Sequence, residues 1–268
     1  MFYNAKSSSV KLMDADMEYI SFGKGDKVMI MLPGLGDALR SMKGTAWYFA
    51  LLYKKYTKDY TVYVFSRKNK IPEGYTTRDM ARDQAEAMKE LGITQAYVIG
   101  VSQGGMISQW LAIDYPELVS KLVLVVTLSR QNETIKTVLG NWLNMAKAAD
   151  YRSIMLDTAE KSYSQKYIEK HRLSFPLLGK FGKPKDFTRF MIQGNACINH
   201  NTYEELEKIN CPTLIIGGDC DKIVEGKSSR DIAGKIAGSQ LYMYKELGHG
   251  LYDEAPDFNQ RVLDFLNT

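Results

Sequence analysis

Apolar runs recur along the chain at 27–33 (KVMIMLP), 60–66 (YTVYVFS), 96–101 (AYVIGV), 121–128 (KLVLVVTL) and 213–218 (TLIIGG). Each is short, nearly unbroken and bounded by turn formers, the pattern of strands covered on both faces, as a parallel sheet requires. A last, more mixed strand is expected at 239–245. Between the runs the period lengthens. Residues 42–55, 77–91, 106–115 and 256–266 place apolar side chains at helical spacing, with Trp47, Phe49, Leu51 and Leu52 among the apolar positions of the first and Gly92 closing the second. Two weakly alternating stretches, 9–13 and 17–22, joined by Asp14-Ala15-Asp16, predict an antiparallel hairpin at a sheet edge. Strands alternating with helices in this way predict a doubly wound, mostly parallel α/β sheet.

The alternation breaks from 129 to 206. Helical pieces are expected at 133–149, 150–169 and 186–192, with breaks at 174–176 and 179–184, and no strand run intervenes. A short helix starting near Asn201-Thr202-Tyr203-Glu204 returns the chain to the sheet. The expected division is therefore a core of residues 1–128 and 207–268 with a helical insertion at 129–206.

Composition narrows the function classes. The chain has 268 residues, 45% hydrophobic and 25% charged, with a net charge of +4, values typical of a soluble globular protein. Lysines and arginines are interspersed with acids, so neither nucleic acid nor anionic membrane binding is implied. No basic leader with an apolar core opens the sequence, and no run approaches the roughly 18 apolar residues of a membrane span. A cytoplasmic chain without integral membrane association, a monomer or homodimer, is expected. Cys197, Cys211 and Cys220 lack the paired spacing of a zinc site or disulfide framework.

Chemistry concentrates in Gly100-Val101-Ser102-Gln103-Gly104, between an expected strand and an expected helix. A strand that turns this sharply into a helix leaves no space for Cβ atoms two residues either side of its apex, and raises the serine hydroxyl above the sheet edge. Serine is a weak nucleophile and needs a base. His249 lies in a strand-end loop between two glycines, and the preceding strand ends in Asp219 and Asp221, either of which could orient an imidazole.

Ser102, an acid and His249 in that chain order, each after a strand, together with the glycine-flanked serine, resemble the α/β-hydrolase fold family. The resemblance implies a mostly parallel eight-stranded sheet flanked by helices, with 129–206 as a lid. It favours Asp221 over Asp219, because an apolar strand, a glycine, two variable residues, the acid and an apolar pair follow the family's register. It also implies an oxyanion hole made by the backbone N–H groups of Leu35, in the Gly34-Leu35-Gly36-Asp37 bend, and Gln103. Pro33-Gly34 stands where many members have His-Gly. The activity implied is serine hydrolysis of a small or medium carboxylic ester. A carbon-carbon bond hydrolase, an amidase or aminopeptidase, a lyase and a slow-turnover ligand receptor are alternatives on the same site. A small-molecule substrate is implied, and no metal or organic cofactor.

Overall fold

The computed structural model describes residues 2–268. Eight strands form one sheet: β1 (Lys6–Lys11), β2 (Asp16–Gly23), β3 (Lys27–Leu32), β4 (Tyr60–Lys68), β5 (Ala96–Val101), β6 (Val119–Val125), β7 (Thr213–Gly218) and β8 (Gln240–Tyr244). Their spatial order is β1-β2-β4-β3-β5-β6-β7-β8. The β1–β2 hairpin lies antiparallel at one edge, and every pairing from β4 through β8 is parallel. The expected architecture is the one found.

Alternate residues of the central strands feed opposite layers. Ile30 and Leu32 of β3 pack with α2 (Thr77–Glu90), α3 (Gln103–Asp114) and Ile232 of α8 (Gly226–Lys235). Met29 and Met31 face α1 (Ala46–Leu52) and α10 (Phe258–Asn267). Both faces of the sheet are thereby removed from water, which is why its strands read as unbroken apolar runs. A capping box starts α2: Thr76 accepts from the Asp79 amide (3.1 Å) while Asp79 accepts from the Thr76 amide (3.0 Å), an arrangement that stabilises a helix start by about 1 kcal/mol.

Between β6 and β7 lie α4 (Glu133–Lys147), α5 (Tyr151–Ser162), α6 (Gln165–Lys170) and α7 (Thr188–Ile198). Leu139, Trp142, Ile154 and Phe190 from this insertion pack on Met106, Leu128 and Ile223 of the sheet-bearing part. The helix expected over 150–169 is two helices, because Ser164 turns extended and caps the second through the Tyr167 amide (3.2 Å).

Four other expectations are corrected. The helix at 42–55 shrinks to α1, in which Ala46 and Ala50 are buried while Trp47, Leu51 and Leu52 are exposed. Strand β4 continues two residues past Ser66, burying Arg67 and Lys68. Strand β6 stops at Val125, since Val126 turns to a φ of 43°. The return segment is a 3-10 helix, Tyr203–Lys208, and Thr202 spends its hydroxyl on Gln109 (2.5 Å) instead of capping it. Helices α8 and α9 (Leu251–Glu254) have no counterpart in the sequence reading.

Candidate active site

Strand β5 ends and α3 begins at Ser102, whose φ of 53° and ψ of −118° are strained for a residue with a side chain, at a cost of about 1–3 kcal/mol. Surrounding bonds hold it there. The Ser102 amide donates to the Val125 carbonyl (2.9 Å), and its own carbonyl accepts from the Gly105 amide (2.8 Å) and the Thr127 hydroxyl (2.8 Å). The flanking glycines are sterically required: a Cβ on Gly104 would overlap the Leu32 carbonyl, and one on Gly100 would lie 2.5 Å from the Gly104 carbonyl oxygen.

Residues far apart in the chain meet at this turn. The His249 Nε2 lies 2.9 Å from the Ser102 Oγ, and its Nδ1 lies 2.8 Å from the Asp221 Oδ2. The other Asp221 oxygen accepts the amides of Ile223 (2.8 Å) and Val224 (3.0 Å). Burial alone would raise the Asp221 carboxyl, but the neighbouring His249 and these two amides outweigh it and hold it below its ordinary value. An ionised carboxylate can only accept, so Nδ1 carries the imidazole proton, and Nε2 is left to accept the serine hydroxyl. Asp219 does not join them: its carboxylate pairs with Arg230 at 2.6 Å on the surface.

Leu35 opens a 3-10 turn directly after β3, and Gln103 is the first residue of α3. Among the described residues neither backbone N–H has a protein acceptor, as befits donors at element starts. Their relative position rests on a group that the sequence reading missed. Arg67, fully buried at the end of β4, donates to the Pro33 carbonyl (2.5 Å) and to the Gln103 Oε1 (3.0 Å). One guanidinium nitrogen thus ties the Leu35 loop to the residue after the serine. Burial lowers the Arg67 pKa from its ordinary value, and Asp37 works against that. The Asp37 Oδ2 accepts the Arg67 amide (3.0 Å) and pairs with Arg189 (3.3 Å). The available signal was Arg-Lys directly after an apolar strand, which reads as a strand end unless an acid elsewhere pairs it.

A cavity of about 300 Å³ opens above Ser102 and His249, between the sheet edge and the insertion. Leu35, Leu139, Trp142, Met155, Phe190 and Ile223 give it apolar walls, and no lysine or arginine lines it. A somewhat larger cavity, about 360 Å³, lies between residues 73–77 and α7 and contains none of the three convergent side chains. The remaining histidines lie elsewhere. His200 is buried between Thr77 (2.8 Å) and Thr202 (3.2 Å), and burial brings its imidazole down to about 3. His171 bonds the Tyr167 carbonyl (2.8 Å). Cys197 borders the cavity as a thiol pushed up to about 12 by burial. Among the described residues no group of three or more His, Cys, Asp or Glu side chains is placed to hold a metal ion, and no helix is long and apolar enough to cross a membrane.

Known proteins share this architecture. The chain is 26% identical over 264 residues to a 2-hydroxy-6-oxononadienedioate/2-hydroxy-6-oxononatrienedioate hydrolase from Pseudomonas sp, across 91% of this chain and 89% of the relative. Among solved structures, MGS-M2, an alpha/beta hydrolase enzyme from a Medee basin deep-sea metagenome library, is similar with a TM-score of 0.87 at 22% identity, covering 97% of this chain and 98% of that one. An esterase from Exiguobacterium antarcticum is similar with a TM-score of 0.79 at 19% identity, covering 98% and 100%. Residues 27–256, which take in β3 to β8 and all three convergent side chains, match the alpha/beta hydrolase fold, and the chain belongs to that family.

Proposed function

We propose that the protein hydrolyses small or medium uncharged carboxylic esters, with Ser102 as nucleophile, His249 as general base and acid, and Asp221 as the group that orients it. The observation that carries this reading is the bonded series Ser102–His249–Asp221 at the floor of an apolar cavity. As Ser102 Oγ attacks the ester carbonyl, its proton passes to His249 Nε2, and the imidazolium is stabilised by Asp221. The carbonyl oxygen takes the negative charge between the Leu35 and Gln103 amides, donors that need not reorganise as charge develops. Collapse breaks the ester C–O bond, and His249 gives its proton to the departing alkoxide. Water, deprotonated by His249, then releases the acid from Ser102. Residues 129–206 serve as a cap over a core of 1–128 and 207–268, excluding bulk water from the acyl-enzyme.

The Pseudomonas relative is named for the hydrolysis of dicarboxylates. A dianion needs cations where it binds, and the walls of this cavity carry none, which favours a neutral ester over carbon-carbon bond cleavage of such a substrate. The volume is at the lower end of ligand pockets, about 300–1,000 Å³. In a series of nitrophenyl esters from acetate to dodecanoate, kcat/KM is expected to peak at the short to medium acyl chains. Faster turnover of a vinylogous diketone dicarboxylate than of any ester would overturn the assignment.

A further inference from the structure

The net charge of the chain is localised. Between 163 and 185 stand Lys166, Lys170, Arg172, Lys180, Lys183 and Lys185 against Glu169 alone. Six cations against one carboxylate exceed the +4 of the whole protein, so the rest of the chain is slightly acidic. All six are exposed, and among the described residues none forms an ion pair. Lys161, just before them, pairs with Asp157, and Arg189, just after, pairs with Asp37. Averaging over the composition concealed this cluster.

Exposed apolar side chains collect in the same place. Leu173 is 86% exposed, Phe181 81% and Leu177 51%, and Trp47 on α1 is 62% exposed with Tyr48, Leu51 and Leu52 beside it. Of the ten large apolar side chains exposed among the described residues, these seven fall in two short segments. The segments are neighbours: Arg40, ahead of α1, reaches within 3.8 Å of where a Gly182 side chain would stand, and Tyr48 lies in electrostatic reach of Tyr167 on α6. The chain leads from the cavity wall into both: Met42 lines the cavity just ahead of α1, and Ser162 lines it immediately before the basic segment.

We propose that this face docks on an anionic phospholipid surface, setting the cavity entrance against the bilayer. Unpaired lysines meet acidic headgroups while leucine and aromatic side chains enter the acyl boundary, the division of labour of interfacial binding. A second copy of the chain is a poor occupant, since two such faces repel. Nucleic acid would match the cations but leave Leu173 and Leu177 in water. The inference goes beyond the proposed hydrolysis, and binding is measured without turnover, so either can fail alone.

The test is flotation of the full chain with phosphatidylglycerol/phosphatidylcholine vesicles against pure phosphatidylcholine, at low and high salt. At least tenfold stronger binding to the anionic vesicles is expected, weakened by salt. Brominated lipid should quench the tryptophan emission, read from Trp47, because Trp110 and Trp142 are buried. The triple variant Lys166→Glu, Lys170→Glu, Arg172→Glu should lose at least tenfold in binding, and the pair Leu173→Asp, Phe181→Asp should lose the quenching. Far-UV circular dichroism of each variant confirms folding. Equal binding to both vesicle types, variants that bind like the parent, or tight binding to an RNA oligonucleotide without vesicle binding would each overturn the proposal.

Discussion

Replacing Arg67 by Met tests whether one buried guanidinium sets the spacing of the Leu35 and Gln103 amides, the proposed oxyanion hole. Methionine fills much of the space but leaves the Pro33 carbonyl and the Gln103 Oε1 without the donor that now lies at 2.5 and 3.0 Å. Asp37 keeps Arg189 and the Arg67 amide, so the main loss is two charge-assisted hydrogen bonds in a dry site. Breaking such a buried set costs about 3–5 kcal/mol. For a chain near this size each kcal/mol moves Tm by about 2–4 °C, giving a fall of about 6–20 °C. The kinetic effect is separable. Complete loss of one oxyanion donor raises the barrier by about 3 kcal/mol, and a loosened Leu35 loop retains part of that donor, so kcat on nitrophenyl butyrate should drop about 10- to 100-fold. KM should change less than threefold, because the ground-state carbonyl makes little use of these amides. Arg67→Lys, with one short donor group in place of a fork, should recover more of the stability than of the rate. A destabilised Arg67→Met that retains the parental kcat would refute the argument, showing that other contacts hold the loop.

Asp221→Asn should reduce kcat by roughly ten-thousandfold by favouring the wrong imidazole tautomer, whereas Asp219→Asn, which only breaks a surface pair with Arg230, should stay within about twofold of the parent; equal losses in steady-state kinetics would contradict the assignment. Burial holds the His200 imidazole at about 3, so the folded protein keeps it neutral where the unfolded chain, titrating near 6.5, takes up a proton. Acid therefore favours unfolding: this contribution is absent above about pH 6.5 and grows by about 1.4 kcal/mol per pH unit below it, down to about pH 3. Urea titrations from about pH 7 to 4 should show that slope, and His200→Gln should remove one proton's share of it; an unchanged slope would show that His200 is not the group responsible.

Sheet and turn were legible because both are local. Unbroken apolar strands can only be covered on two faces, and Gly100 and Gly104 are dictated by atoms within the same turn and the adjoining strand. Ser102, Asp221 and His249 could be picked out since each follows a strand, although the meeting of their side chains is a property of the sheet order. What failed to show in the sequence depends on partners remote in the chain. Arg67 and Lys68 extend β4 because Asp37, and Asp14 with Asp83, supply charge there. Helix α8, with two glycines and polar residues throughout, is held by contacts such as Ile232 with the sheet face. The inward face of α1 is set by small alanines, Ala46 and Ala50, and not by its larger apolar side chains, which periodicity alone does not distinguish. The clustered cations of 163–185 vanish in a chain-wide average.

The most direct measurement is peptide mapping by mass spectrometry after exposure to a fluorophosphonate. The phosphonyl adduct is expected on Ser102 alone, absent in Ser102→Ala, and formed at least a hundredfold more slowly in His249→Ala. An adduct on another residue, or undiminished labelling in both variants, would contradict the account.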